Sequence, residues 1–179
     1  MDISIIIVNY NVKEYIIPCI DSIYKHSKSK NKFEIIVINN SPEDGASAEI
    51  KNKFSEVLLI NNDSNIGFSR AINQGAKISK GEYLFILNPD TLFVEDSIHN
   101  LIFKAKNDNK IDIIGPKILS RKNNTEQSFW RKPNFINTMM SVYYLDFLNY
   151  WKNYKDQEFL EISEVETISG CAIFIKSKI

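Results

Sequence analysis

Residues 81–93 read GEYLFILNPDTLF. The apolar run Leu84–Leu87 stops at Asn88. A proline follows, then the carboxylate of Asp90, and the chain is apolar again at Leu92 and Phe93. A short continuous apolar run closed by a turn signal predicts a strand, here Tyr83–Leu87, buried on both faces as in a parallel sheet. Pro89 stiffens the turn and aims Asp90 into the space beyond the strand, while Leu92 and Phe93 anchor the segment that follows.

The same reading extends in both directions. Ser4–Val8 and Phe33–Ile38 are β-branched apolar runs of strand length, and Glu56–Ile60 is a third. Val12, Tyr15, Ile16, Cys19, Ile20 and Ile23 recur at helical spacing, with Asn11 placed to cap the helix and Pro18 expected to delay or kink it. A helix is expected around residues 46–54 after the loop Ser41–Gly45. Another spans Ile66–Ile78 with Phe68, Ala71, Ile72, Gly75, Ala76 and Ile78 inward, ended by Lys80-Gly81. Gly75 inside that helix points to close approach of another backbone. A helix over Val94–Lys106, a strand over Ile111–Gly115 and a strand over Thr167–Ile175 complete the pattern. Strands alternating with helices predict an α/β fold with a mostly parallel sheet flanked by helices and right-handed crossovers.

The totals exclude several classes. At 179 residues with 22 basic and 22 acidic side chains, the chain is one domain of ordinary size, with no charge excess for nucleic acid. The N-terminus MDISIIIVNYN has no basic region, so it is not a signal peptide, and its apolar run is too short to span a bilayer. Cys19 and Cys171 form no CxxC pair, which disfavours a zinc site and fits buried free thiols in a reducing cytosol.

In open α/β sheets, ligands bind beyond the carboxyl ends of the strands. Those ends read Asn9-Tyr10-Asn11, Asn39-Asn40-Ser41, Asn62-Asp63-Ser64-Asn65 and Asn88-Pro89-Asp90. Amides can read nucleobase edges, an aromatic ring can stack on a base, and one carboxylate can hold a Mg2+ or Mn2+ that also takes diphosphate oxygens. No GxGxxG and no GxxxxGK[ST] is present, and His26 and His99 offer little to a histidine-based triad. Each element has a plainer reading: Asn-Pro-Asp as a common turn, Asn39–Pro42 as a helix-entry loop, Tyr10 at a core edge, the aromatics of residues 135–160 as a second small core. Convergence on one rim is what favours a site.

The ordered set SIIIVNYN (4–11), VINNS (37–41), NIGFSRAINQG (65–75), GEYLFILNPDTLF (81–93) and TISGCAIFIK (167–176) resembles the family 2 glycosyltransferases of the GT-A (Rossmann-like) fold. The Asn-Pro-Asp form and the Asn65–Gly75 pattern most resemble its rhamnosyltransferase-like branch. The resemblance covers residues 3–116 and 167–176. It implies a nucleoside-diphosphate sugar donor (dTDP-, UDP- or GDP-linked), inverting transfer to a hydroxyl of a saccharide or lipid-linked glycan, and work in the cytoplasm or at the inner membrane face. It also implies that residues 1–116 are the nucleotide-sugar-binding half and 117–179 the incomplete start of an acceptor-side half, in one domain overall.

Carried over residue by residue, the resemblance puts Val8, Tyr10, Asn11, Asn39, Ser41, Asn65, Gly67, Asn73 and Asn88 at the donor. It puts the metal on Asp90, and Gly170, Cys171 and Ala172 on the acceptor side. Ile38 stands where the family's acid is expected, and Asn88 replaces the first acid of its Asp-x-Asp motif. The family's catalytic base is expected beyond Ile179, so the chain is read as ending early. Glu161, Glu164 and Glu166 lie upstream of the Gly-Cys-Ala strand and do not match that base. Arg131 is a candidate for approaching a phosphate. Two other classes compete. A nucleotidyltransferase would show a glycine-rich basic loop where this chain has NYNVKEY, and a non-catalytic nucleotide-sugar-binding module needs no base.

Overall fold

The computed structural model describes residues 1–27, 31–120, 122, 124–130, 132 and 163–178. Arg131 and the aromatic-rich stretch 135–160 lie outside the described residues. In chain order the elements are β1 (Ile3–Asn9), α1 (Lys13–His26), β2 (Phe33–Asn39), a 3-10 turn (Pro42–Asp44), α2 (Ala46–Lys53), β3 (Leu58–Asn61) and α3 (Phe68–Ile78). There follow β4 (Tyr83–Leu87), α4 (Ser97–Asn107), β5 (Ile113–Ile114), β6 (Ile118–Leu119), β7 (Thr125–Glu126), β8 (Phe129–Trp130), β9 (Thr167–Ile168) and β10 (Ala172–Lys176).

All seven residues of β1 are buried, because it has a neighbour on each edge and helices over its faces. It pairs in parallel with β2 on one side and β4 on the other. The full sheet runs β3-β2-β1-β4-β10-β5, with β10 antiparallel to both neighbours. The α/β fold with a mostly parallel central sheet is therefore as expected.

Two compact units emerge: residues 1–116 with 170–179, and residues 117–169. The first unit's long segment ends at Pro116, and residues 170–179 join it. The expected strand 167–175 is broken at Ser169–Cys171. Its first part, β9, pairs with β8 in the second unit, and its second part, β10, lies on β4 in the first. Side-chain burial explains the return of β10. Phe174 stacks on Tyr83 at 4.8 Å between ring centroids and meets Phe85 edge-on at 6.4 Å, filling the sheet face beside β4.

Several local expectations change. α1 runs through Pro18, which sits on the exposed side of the helix. The carbonyl of Glu14 that loses its partner there can reach water, so Pro18 does not delay the start of the helix, which begins at Lys13. Phe68, expected inward, is 48% exposed. Gly75 lies over Ile6, and Ala71 clusters with Val8, Ile36 and Ile38. One helical turn earlier, Phe68 has passed the last apolar residue of β1 and β2. Gly75 does allow close approach, but of a side chain rather than a backbone. A Cβ there would meet Ile6 Cγ2 at 2.7 Å.

Candidate active site at the strand ends

The carboxyl ends of β1, β2 and β3 carry asparagines in register: Asn9 opposite Asn39, Asn39 opposite Asn61. The side chains join into a row. Asn9 Nδ2 donates to Asn39 Oδ1 at 2.8 Å and to Asp44 Oδ2 at 2.6 Å. Asn39 Nδ2 donates to Ser47 Oγ at 2.7 Å and Asn61 Oδ1 at 3.3 Å, and its Oδ1 also accepts the Ser41 N–H at 3.0 Å. Ser47 Oγ donates to Asn61 Oδ1 as well. The backbone ladder continues one residue further, from Asn40 N to Asn9 O at 2.8 Å and from Asn62 N to Asn39 O at 2.9 Å. Apart from the Asn9 carbonyl oxygen, the buried amides of this row find partners in one another, in Ser47 and in Asp44, which braces the rim. Asn9 Oδ1 is buried without a partner among the described residues.

This arrangement divides the expected donor residues into two groups. Asn39 is fully buried with both ends of its amide bonded inside the protein, so its side chain shapes the rim. Val8 packs in the core cluster with Ile36, Ile38 and Ala71, and its side chain has a packing role. Ser41 is buried, and its Oγ accepts the Asn11 N–H at 2.7 Å. Tyr10, by contrast, is 51% exposed at the rim, and Asn65, Gly67 and Asn73 are exposed on the turn and helix after β3.

Asn11 is not the helix cap; Val12 occupies that position. Asn11 has φ 55, the left-handed region that asparagine tolerates and β-branched residues do not. It lies in the bend between β1 and α1, next to Tyr10. Replacing Asn11 with Val should cost about 1–2 kcal/mol of stability and replacing it with Gly almost nothing, read from urea unfolding midpoints.

At the end of β4 the Asn-Pro-Asp turn is held through its first residue. Asn88 N donates to Cys171 O at 2.8 Å, and Asn88 O accepts from Thr91 Oγ1 at 2.7 Å and from Thr91 N at 3.3 Å. Phe93 then enters the core, edge-on to Phe85 at 6.0 Å, with its N–H on Ser22 Oγ. Phe93 alone is the anchor; Leu92, expected to share that role, is 61% exposed. Asp90 is exposed at the tip of the turn. Because β1 and β4 are parallel neighbours with Ile7 opposite Leu87, Tyr10 and Asp90 leave the sheet at the same rim. Gly170 and Cys171 stand beside Asn88 at the start of β10, and the Ala172 side chain is buried.

Beneath this turn lies Cys19, its Sγ 3.9 Å from both the Asn88 carbonyl oxygen and Thr91 Oγ1. Burial pushes its thiol up to about 12; the Thr91 bond works against this and the charge of Asp90 adds to it. A thiol held protonated and out of solvent is a poor nucleophile. At pH 8, iodoacetamide should leave Cys19 unmodified in the folded protein and modify it once urea unfolds the chain. Peptide mass spectrometry reads this, and equal labelling in both states would contradict the burial.

A divalent ion of the Mg2+ or Mn2+ kind needs only one or two protein carboxylates when diphosphate oxygens and water complete its shell. Asp90, an exposed carboxylate on a turn braced independently of it, fits that requirement, with Asn88 beside it as an uncharged neighbour. Among the described residues no cluster of three or more acidic, histidine or cysteine side chains forms a complete protein-only metal cage.

Three residues that were not assigned to the donor, metal or acceptor bond to other polar groups of this rim. Asp44 closes the row at Asn9, Asn62 reaches Asn40, and Gln74 reaches Asn62. The only trace of them in the sequence is the recurrence of Asn at each strand end and the Gln within Asn73-Gln74-Gly75.

The chain belongs to glycosyl transferase family 2, whose profile matches residues 4–179. Among curated proteins it is similar to GgaB, a minor teichoic acid biosynthesis protein of Bacillus subtilis (strain 168). They are 29% identical over 128 residues, which is 69% of this chain and 14% of that protein. Among solved structures it resembles S. aureus TarS in complex with UDP-GlcNAc, with TM-score 0.61 and 18% identity, over 74% of this chain and 39% of that one. It also resembles the mannosyltransferase PcManGT from Pyrobaculum calidifontis in complex with GDP-Man and Mn2+. There the TM-score is 0.63 and the identity 18%, over 97% of this chain and 44% of that one. The structural likenesses establish the GT-A fold. The chain spans less than half the length of each of these proteins.

Proposed function

We propose that this chain is the donor-binding part of an inverting, metal-dependent glycosyltransferase that moves a sugar from a nucleoside diphosphate to a hydroxyl of a cell-surface glycan. The observation that carries the reading is the meeting at one rim of exposed Tyr10 and Asp90, from adjacent parallel strands, beside a hydrogen-bonded row of amides. The relatives support it: one works in teichoic acid biosynthesis, and the structural neighbours were solved with UDP-GlcNAc and with GDP-Man and Mn2+.

In this reading Tyr10 stacks on the base, and the Asn65–Gly67 turn and Asn73 border the nucleotide. Asp90 would hold Mg2+ or Mn2+, with Asn88 beside it at the donor, and the ion would offset negative charge on the departing diphosphate. The acceptor hydroxyl loses its proton and forms a bond to the anomeric carbon as the bond to diphosphate breaks. Gly170 and Cys171, next to Asn88, border the acceptor side. The base that takes the proton is not assigned to a residue of this chain. Among the described residues no helix is long and apolar enough to cross a membrane, and we place the work at the cytoplasmic membrane face, where a lipid-linked or polymeric glycan acceptor is met.

The test is calorimetric titration of the purified protein with UDP, dTDP and GDP, each with and without Mn2+. Metal-dependent binding of one of them is expected and identifies the base; dTDP would support the rhamnosyltransferase-like resemblance. Binding of none, or binding indifferent to metal, overturns the reading.

A further inference from the structure

Four side-chain amides form one connected chain of hydrogen bonds behind the turn that enters α3. Gln74 and Asn62 bond reciprocally, Gln74 Nε2 to Asn62 Oδ1 and Asn62 Nδ2 to Gln74 Oε1, both at 2.9 Å. Asn62 Nδ2 also donates to Asn40 Oδ1 at 2.8 Å. Asn40 Nδ2 donates to Asn65 Oδ1 at 3.3 Å, and that oxygen accepts the Gly67 N–H at 2.8 Å. The bonds thus run from the middle of α3, past the ends of β3 and β2, to Asn65 in the turn that precedes α3.

Apart from Ile66, which packs against the cluster of Val8, Ile36, Ile38 and Ala71, the turn has little to hold it. Residues 63–65 and 67–70 are exposed, Gly67 has φ 85, and no side chain caps the helix. Asn65 is oriented by the chain of bonds, with its carbonyl oxygen turned inward and its amide nitrogen left to the rim. We infer that Gln74 and Asn62 are positioning residues for donor binding, acting through Asn40 to set the Asn65 amide as a hydrogen-bond donor toward oxygens of a nucleoside diphosphate. This rests on the donor reading proposed above.

The test uses Gln74→Leu, Asn62→Leu and the double variant, with affinity for UDP, dTDP and GDP in Mn2+ measured beside the unfolding midpoint. Each single variant should lose about tenfold in affinity, the equivalent of roughly one hydrogen bond's worth of order. The double variant should lose about the same rather than about a hundredfold, because one connected unit is broken once. Variants that bind as tightly as the parent, whether or not their midpoint falls, overturn the inference. Independent, multiplying losses also overturn it. A parent protein that binds none of the three nucleotides removes the donor reading itself and the inference with it, a result distinct from the other two.

Discussion

Replacing Asp90 with alanine will lower the Mn2+-dependent affinity for the preferred nucleoside diphosphate by about a hundredfold, with almost no change in stability. The size follows from the site's chemistry. If one protein carboxylate and a diphosphate share the ion, as proposed, loss of that carboxylate would leave only neutral protein oxygens to hold it. The fold is insulated from the change. The turn's bonds run from Asn88 to Cys171 and Thr91, and its anchor is Phe93, so none depends on the Asp90 carboxylate. Exposed substitutions of this kind stay within about 0.5 kcal/mol. Asp90→Asn should behave like the alanine variant, because the requirement is charge. Metal-free nucleotide binding should be equal in all three proteins. If Mn2+-dependent affinity in Asp90→Ala stayed within twofold of the parent, the ion would have to be held elsewhere.

Gly81→Ala should be strongly destabilising. A Cβ at Gly81 would lie 2.4 Å from Ser4 N, 2.6 Å from the Ile3 carbonyl carbon and 2.6 Å from Tyr83 O. All three are backbone atoms of β1 and β4, locked in the sheet. Gly81 N also donates to Ser4 Oγ at 2.8 Å, and that hydroxyl donates to Glu34 Oε1 at 2.5 Å. The added methyl must separate strands at the centre of the fold, so the expected loss is about 3 kcal/mol. For a chain of this length that lowers the thermal midpoint by roughly 6–12 °C. Gly75→Ala provides the contrast. Its neighbour is the Ile6 side chain, and helix propensity gains about 1 kcal/mol, so a smaller loss is expected there. Thermal scans of both variants check the order; Gly75→Ala falling further than Gly81→Ala would contradict it.

The two glycines show where sequence reading stops. Close approach was expected at Gly75, from its place inside a helix, yet backbone meets backbone at Gly81, which reads only as a helix end. Helix and strand periods are local properties, and residues 83–87, 33–39 and 68–78 could be assigned from them to within a residue or two. The return of β10 to the sheet could not. Thr167–Ile175 has one unbroken strand pattern, and its division at Ser169–Cys171 depends on which partners each half finds in space.

The site divides along the same line. By itself the sequence determined the alternating architecture, the collection of amides at successive strand ends and the single carboxylate after β4, because each depends on neighbours along the chain. Tertiary structure alone decided that Asn39 is consumed within the rim while Tyr10 and Asp90 remain open, and that Gln74 reaches Asn62. The physical reason is that an amide's partners are set by strand register and helix placement, and those are fixed only when the whole sheet closes around β1.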